Sequence, residues 1–284
     1  MSRNLFAFVT FGNVQFTKLT VESIRDTVQN SYDIFAVVGK PGDSETLNWL
    51  ATQPDIQFKI HTENMGFPYG VNDIYDFAWK QNNYDNLVLL GNDVILYPYA
   101  GDSLINFANA SSYQVISGLQ YDVRDLTREY PDTRQYFQGD DCIIEDFSAK
   151  PWEKFGGYSK DLWIADMQLY DIQNFCLYKK SVFDKIGYTD VNFYPAYFID
   201  NDYARRIVLA NIRCCTLTNA RFFHFWSRTI KQGSGGSTSH YFDNNRKYYK
   251  NKWGGDVGHE KNVPNLTISS REGEERIIAN WRRK

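Results

Sequence analysis

Leu87-Val88-Leu89-Leu90-Gly91-Asn92-Asp93-Val94-Ile95-Leu96 decides how the rest of the chain is read. Four consecutive apolar residues are too few for a helix and suit a central strand covered on both faces. The run leads straight into Asp93, which puts a carboxylate at the carboxyl end of a buried strand. Open α/β sheets collect their ligands at that edge. A hard divalent cation such as Mg2+ or Mn2+ prefers carboxylate oxygen, so Asp93 is a candidate metal ligand. Asn and Asp are also common turn formers, and a plain turn between two strands is the competing reading.

Upstream of this stretch, short apolar runs alternate with helical spacing, the pattern of βαβ units around a mostly parallel sheet. Leu5–Val9, Ile34–Val38 and Ile56–Ile60 read as strands. Phe16, Leu19, Ile24 and Val28 mark one helix, and Leu47, Leu50 and Ala51 a shorter one that Asp43 or Ser44 can cap. Val71, Ile74, Tyr75 and Ala78 mark a third. Downstream, Val115–Gly118, Phe175–Tyr178 and Cys214–Leu217 read as strands. Ser181 with Asp184 resembles a capping box for a short helix stopped by Gly187, and a longer helix covers Asp202–Ala210. Residues 121–168 are polar, aromatic and weakly periodic, and read as a long irregular insertion. Lys231–Ser239 is rich in Gly and Ser and reads equally as a lid or a disordered loop. The Arg-rich end, residues 263–284, reads as a docking tail or, more readily, as a solvated one.

The composition narrows the function classes. A formal net charge of −3 gives no overall field for a phosphate backbone, so nucleic acid is not a favoured partner. Aromatics reach 17% of residues, which suits stacking on sugar or base rings, although cores consume aromatics too. Cys142, Cys176, Cys214 and Cys215 show no CxxC spacing, so neither a zinc site nor a disulfide framework is expected, and a cytoplasmic setting fits. Leu5–Val9 is too short for a signal-peptide core, and no 18-residue apolar stretch exists. No transmembrane segment is expected, and peripheral attachment to a membrane stays open.

Three further clusters carry candidate chemistry. Asn64-Met65-Gly66-Phe67-Pro68-Tyr69-Gly70-Val71-Asn72 joins a strand to a helix, and its glycines would let backbone N–H groups approach an anionic ligand. An ordinary β–α loop is the plain alternative. Phe198-Ile199-Asp200-Asn201-Asp202 opens a helix that continues through Arg205 and Arg206. One of its two carboxylates could act as a general base, while acidic residues in a first helical turn also stabilise any helix. His224, inside Arg221–Trp226, could complete a metal shell, contact a diphosphate, or simply pack among aromatics.

Taken in order, these residues resemble the family 2 glycosyltransferases over approximately residues 5–253. The matching segments are Val9-Thr10-Phe11-Gly12-Asn13, Asn64 to Asn72, Leu89–Val94, Phe175 to Gly187, Ile199–Arg206, His224, and Tyr248-Tyr249-Lys250-Asn251-Lys252-Trp253-Gly254. The resemblance implies a GT-A-like three-layer α/β/α sandwich with a mostly parallel central sheet. It implies one catalytic domain over 1–262, with a nucleotide-sugar-binding half at 1–110 and an acceptor-binding half at 111–262 that includes the insertion. The implied activity is transfer of a sugar from a nucleotide-diphosphate sugar to a hydroxyl of a glycan or other acceptor, with inversion and with Mn2+ or Mg2+. Asp93, joined by His224, would hold the metal. Asp200 or Asp202 would be the base, and Thr10, Asp43, Asn64, Gly66, Asn72 and Asn92 would serve the donor. Three positions depart from the pattern: Gly39, Asn92 and Ile199 stand where many members carry acids. Asp43 is the displaced substitute for the first. A sugar-1-phosphate nucleotidylyltransferase lacks support, since no Gly-rich phosphate loop follows the first strand. A non-catalytic sugar- or nucleotide-binding protein on the same fold is the other alternative.

Overall fold

The computed structural model describes residues 2–121, 137–138, 141–142, 164–165, 174–225 and 239–283. Most of the expected 121–168 insertion, and the Gly/Ser-rich segment before Ser239, lie outside the described residues. The chain opens with β1 (Asn4–Thr10), α1 (Val14–Thr27), β2 (Asp33–Val38), α2 (Ser44–Leu50), β3 (Ile56–Ile60) and α3 (Phe67–Tyr75). A π-helical turn over Asp76–Gln81 leads to β4 (Asn86–Leu90), β5 (Val94–Leu96), α4 (Ala100–Ala110) and β6 (Val115–Tyr121). The short strands β7 (Phe137–Gln138), β8 (Asp141–Cys142) and β9 (Ile164–Ala165) precede β10 (Phe175–Lys179), α5 (Lys180–Ile186) and α6 (Ile199–Leu209). The long strand β11 (Cys214–His224), α7 (Ser239–Trp253) and α8 (Glu274–Arg282) complete the elements.

The main sheet runs β3-β2-β1-β4-β10-β6-β11-β5, with β9 added on β11. The expectation of a mostly parallel sheet is met from β3 to β4 and corrected beyond it. β10 is antiparallel to both β4 and β6, and β11 is parallel to β6 but antiparallel to β5 and β9. The βαβ pattern that forces parallel pairing ends at β4. A strand reached through a long insertion is under no such constraint.

Alternate residues of the central strands face opposite helical layers. Leu5, Ala7, Leu87, Leu89 and Tyr178 pack with Ile74 and Tyr75 of α3, Val182 of α5, and Tyr203 and Ile207 of α6. Phe6, Phe8, Val88, Leu90 and Leu177 pack with Val21 and Ile24 of α1 and Leu104 and Ile105 of α4. Burial on both faces is why these strands read as unbroken apolar runs. At the β3 edge only Ile56 is buried.

Local capping follows the sequence in one place and departs from it in another. Asp43 caps α2, its Oδ1 accepting from the Thr46 N–H at 3.2 Å. The expected Ser181–Asp184 box does not form: α5 starts at Lys180 without a side-chain cap, and Asp184 pairs with Lys180 at 2.6 Å instead.

Residues 263–284, expected more readily in solvent than docked, pack onto the domain. Ile268 bridges to Gly187, donating to the Ile186 carbonyl at 3.1 Å and accepting from Tyr188 at 2.8 Å. Gly187 allows this approach: its φ is +68°, and a Cβ there would lie 2.0 Å from the Ile268 carbonyl oxygen. Arg271 then bonds Asp73 at 2.6 Å, Asp76 at 2.8 Å and Glu274 at 2.7 Å, and lies over the Tyr69 ring. Ile278 is fully buried. The charges of the segment hid its apolar anchors, and buried Asp73 and partly buried Asp76 on the α3 side supplied partners for its arginine.

Candidate active site

β1, β2, β3 and β4 run in one direction, so their carboxyl ends share one edge of the sheet. The loops leaving that edge hold most of the residues singled out from the sequence. β11 starts beside the start of β6 and ends beside β5, so His224 reaches the same edge. α6 connects through residues 210–213 to the start of β11 and packs along the sheet. Ile199 of its first turn lies in the cluster against which Phe67, at the head of α3, packs, and the loop to α3 leaves that edge.

Asp93 and His224 meet there. Asp93 Oδ1 lies 3.3 Å from His224 Nε2, and both residues are buried. Gln120 Oε1 accepts from Asn174 at 3.4 Å and faces His224 Nδ1 at 3.0 Å. An amide oxygen in that position accepts from Nδ1, which leaves Nε2 facing a carboxylate oxygen. A proton on Nε2 or a cation between the two atoms would satisfy both. A histidine whose far nitrogen donates to a carbonyl is also the usual second-layer support of a metal ligand. Among the described residues no group of three or more His, Cys, Asp or Glu side chains could hold a metal. A carboxylate–imidazole pair suits a hard cation that takes its remaining ligands from phosphate oxygens and water. Gln120 was not foreseen, because only the pairing of β6 with β11 sets it beside His224.

The donor-side residues turn out to be largely inward-facing. Thr10 is fully buried, its Oγ1 3.2 Å from that of Thr17 and donating to the Gly12 carbonyl at 3.3 Å. Asn92 donates to Thr10 at 3.3 Å and Thr17 at 3.1 Å, tying the β4 end to the β1 end. Asp43, besides capping α2, accepts from the Gly12 N–H at 3.1 Å, so both its oxygens are occupied by backbone. Asn72 is corrected most plainly: it is fully buried, bonding Thr189 through both ends of its amide and Glu274 at 2.7 Å. It fastens α3 to the segment after α5 and to α8.

The Asn64–Gly66 turn does reach the edge. Asn64 Oδ1 accepts from the Gly66 N–H at 3.0 Å, an Asx turn. A Cβ at Gly66 would lie 2.8 Å from the Tyr194 ring, and the Phe67 N–H donates to the Pro195 carbonyl at 2.7 Å. The glycine expected to admit a ligand instead admits residues 194–198, which lead into α6.

The two carboxylates of α6 have different surroundings. Asp202 is fully buried: Oδ2 accepts from Arg206 at 3.1 Å, and Oδ1 accepts from Trp253 at 3.0 Å and Lys252 at 2.6 Å. Arg206, equally buried, spends its other donors on the carbonyls of Ile186, Tyr188 and Leu266. This cluster anchors the Lys252-Trp253 segment of α7 to α6. Asp200 is only partly covered and accepts from the Asn201 N–H at 2.9 Å. Burial pushes its carboxyl up to about 6, against the pull of the Asn201 and Asp200 backbone N–H groups.

The approach to Asp200 has unusual backbone. Tyr197 and Phe198 have φ of +73° and +62°, a region that bulky residues rarely enter and that costs about 1–3 kcal/mol each. Asn245 of α7, fully buried, holds the loop by donating to the carbonyls of Phe193 at 3.0 Å, Ala196, and Tyr197 at 3.4 Å. Neither feature has a signal in the sequence.

This mixed α/β architecture is shared with solved glycosyltransferase structures. The mannosyltransferase PcManGT from Pyrobaculum calidifontis, in complex with GDP-Man and Mn2+, superposes with a TM-score of 0.53 at 12% identity, over 78% of this chain and 56% of that one. S. aureus TarS 1-349 superposes with a TM-score of 0.53 at 9% identity, over 89% of this chain and 72% of that one. The chain thus spans little more than half the length of the mannosyltransferase, and at these identities the likeness is one of fold. No protein-family model matches the sequence, and no curated protein matches it.

Proposed function

We propose that this protein is a glycosyltransferase with a GT-A-like fold that moves a sugar from a nucleotide-diphosphate sugar to an acceptor hydroxyl with inversion. The observation that carries this reading is Asp200, a carboxyl raised to about 6 at the same sheet edge as the Asp93–His224 pair. A general base works best with a pKa near the operating pH, and Asp200 meets that condition. Asp202 is the poorer base in this reading, since its oxygens are held by Arg206, Lys252 and Trp253.

In this reading Asp200 takes the proton of the acceptor hydroxyl as its oxygen attacks the anomeric carbon. The bond from that carbon to the diphosphate breaks on the opposite face. Asp93 and His224 would hold Mn2+ or Mg2+, which when bound neutralises the diphosphate leaving group. Gln120 Oε1 would accept from Nδ1 and leave Nε2 to face the metal. Residues 1–110 supply the donor side, where Asn64 and the backbone of the Thr10–Asn13 turn line the edge. Residues 111–262 supply the acceptor side. A neighbouring fold crystallised with GDP-Man and Mn2+ supports the donor and metal classes. Four cysteines without CxxC spacing support a reducing, cytoplasmic setting.

A calorimetric screen of UDP, GDP, dTDP and CMP with and without Mn2+ tests the reading. Heat from one nucleotide only in the presence of metal, abolished by His224→Ala, is expected. Metal-independent binding of every nucleotide would refute the metal site. The inward-turned Asn92 and occupied Asp43 favour, as a second reading, a binding protein on the same fold. A wild-type chain that binds a nucleotide sugar and never turns it over would establish that second reading.

A further inference from the structure

Phe242 on the first turns of α7 keeps 41% of its surface exposed, although it sits in an aromatic group. Its ring centroid lies 5.3 Å from that of Tyr197 at 81° and 5.1 Å from that of Phe198 at 51°. Tyr197 and Phe198 are themselves only half-buried. Next to them Tyr241 meets Tyr194 edge-on at 6.1 Å. A hydrophobic group of this size would ordinarily be folded inward. Here the left-handed backbone at Tyr197 and Phe198 turns the rings toward Phe242, and Asn245 from the same helix locks that backbone. Strain held in place by a buried amide is the mark of a surface shaped for use.

The position of the group names its occupant. Tyr197 and Phe198 lead directly into α6, and Asp200 follows two residues later. The group thus adjoins the helix start that carries Asp200. We propose that Tyr197, Phe198 and Phe242 form a shelf on which an uncharged sugar ring of a carbohydrate acceptor stacks beside Asp200, an inference that rests on Asp200 being the base. The C–H face of a pyranose is apolar and packs on aromatic rings, while its hydroxyls point to the rim. The Tyr197 hydroxyl has no hydrogen-bond partner among the described residues and is available to a sugar hydroxyl. Asp200 has no cationic partner among the described residues, which disfavours a phosphorylated or acidic acceptor.

Saturation-transfer NMR on the full chain, with maltotriose, mannotriose and triacetylchitotriose as probes, tests the shelf without requiring turnover. At least one trisaccharide should receive saturation from the aromatic protons. Phe242→Ala should weaken its binding at least tenfold, and Tyr197→Phe by a smaller factor. Val208→Ala, an exposed apolar residue near the far end of α6, should keep wild-type affinity. No saturation transfer to any of the three sugars, or equal affinity in Phe242→Ala and wild type, overturns the shelf. Asp200→Asn distinguishes the two ideas: turnover unchanged in that variant sinks the base, whereas a trisaccharide still bound by it leaves the shelf standing.

Discussion

Asp200→Asn should make the protein more stable at alkaline pH while removing its activity. The substitution keeps the volume and the oxygen that accepts from Asn201, and removes only the charge. The carboxyl is raised from 3.8 to about 6, chiefly by burial. For a group whose folded pKa is raised, the stabilising contribution is full below the unfolded value of 3.8 and is lost as pH rises through about 6. At pH 8 the folded chain therefore carries an ionised carboxylate that the unfolded chain solvates better. Full burial would set that cost at about 3 kcal/mol, and the residue's partial exposure screens it to about 1–3 kcal/mol. Urea unfolding at pH 4, 6 and 8 checks the sign. The variant should match wild type at pH 4 and exceed it by that amount at pH 8, while nucleotide-sugar turnover falls by about 10² or more. A variant no more stable than wild type at pH 8 would refute the desolvation argument. Undiminished turnover would refute the base.

Arg271→Met leaves Asp73, Asp76 and Glu274 crowded without their common cation, and should lower stability by about 3–5 kcal/mol, read by thermal denaturation. An unchanged melting temperature would show that the docked tail contributes nothing. Burial alone would raise Asp73, but His61, Lys59 and Arg271 overcome it and hold the carboxyl down to about 2. Its contribution, on the order of 2 kcal/mol, is present above 3.8 and lost as pH falls toward 2, so acid unfolding of wild type should be steeper there than in Asp73→Asn. Gly187→Ala puts a Cβ against the Ile268 carbonyl and should free residues 263–284 to limited proteolysis with the rest of the domain intact. Equal cleavage rates in variant and wild type would mean that the bridge is not what holds the tail.

Much of the nucleotide half was legible in the amino-acid order. Its strands are short apolar runs bounded by turn residues, its helices carry apolar residues at 3.6-residue spacing, and βαβ connections leave one handed way to assemble them. Asp93 at a strand end and Asp200 at a helix start could likewise be marked as carboxylates at a ligand-collecting edge. α7 and α8 were missed because polar residues interrupt their apolar stripes, whereas α4 carries a regular stripe of Ala100, Leu104, Ile105 and Ala108 that the sequence did show.

The sequence by itself determined which residues could do chemistry, because residue type and local periodicity are written in it. Only the tertiary structure decided which of them are exposed to a ligand. Asp200 and Asp202 are equivalent as sequence, yet Asp202 is neutralised by Arg206 and by Lys252 and Trp253 from some fifty residues away. Asn72 and Asp43 look like ligands and act as fasteners, since their partners come from Thr189, Glu274 and Gly12. Long-range pairing sets burial, and burial sets both the charge state of a carboxyl and whether its oxygens are free to act.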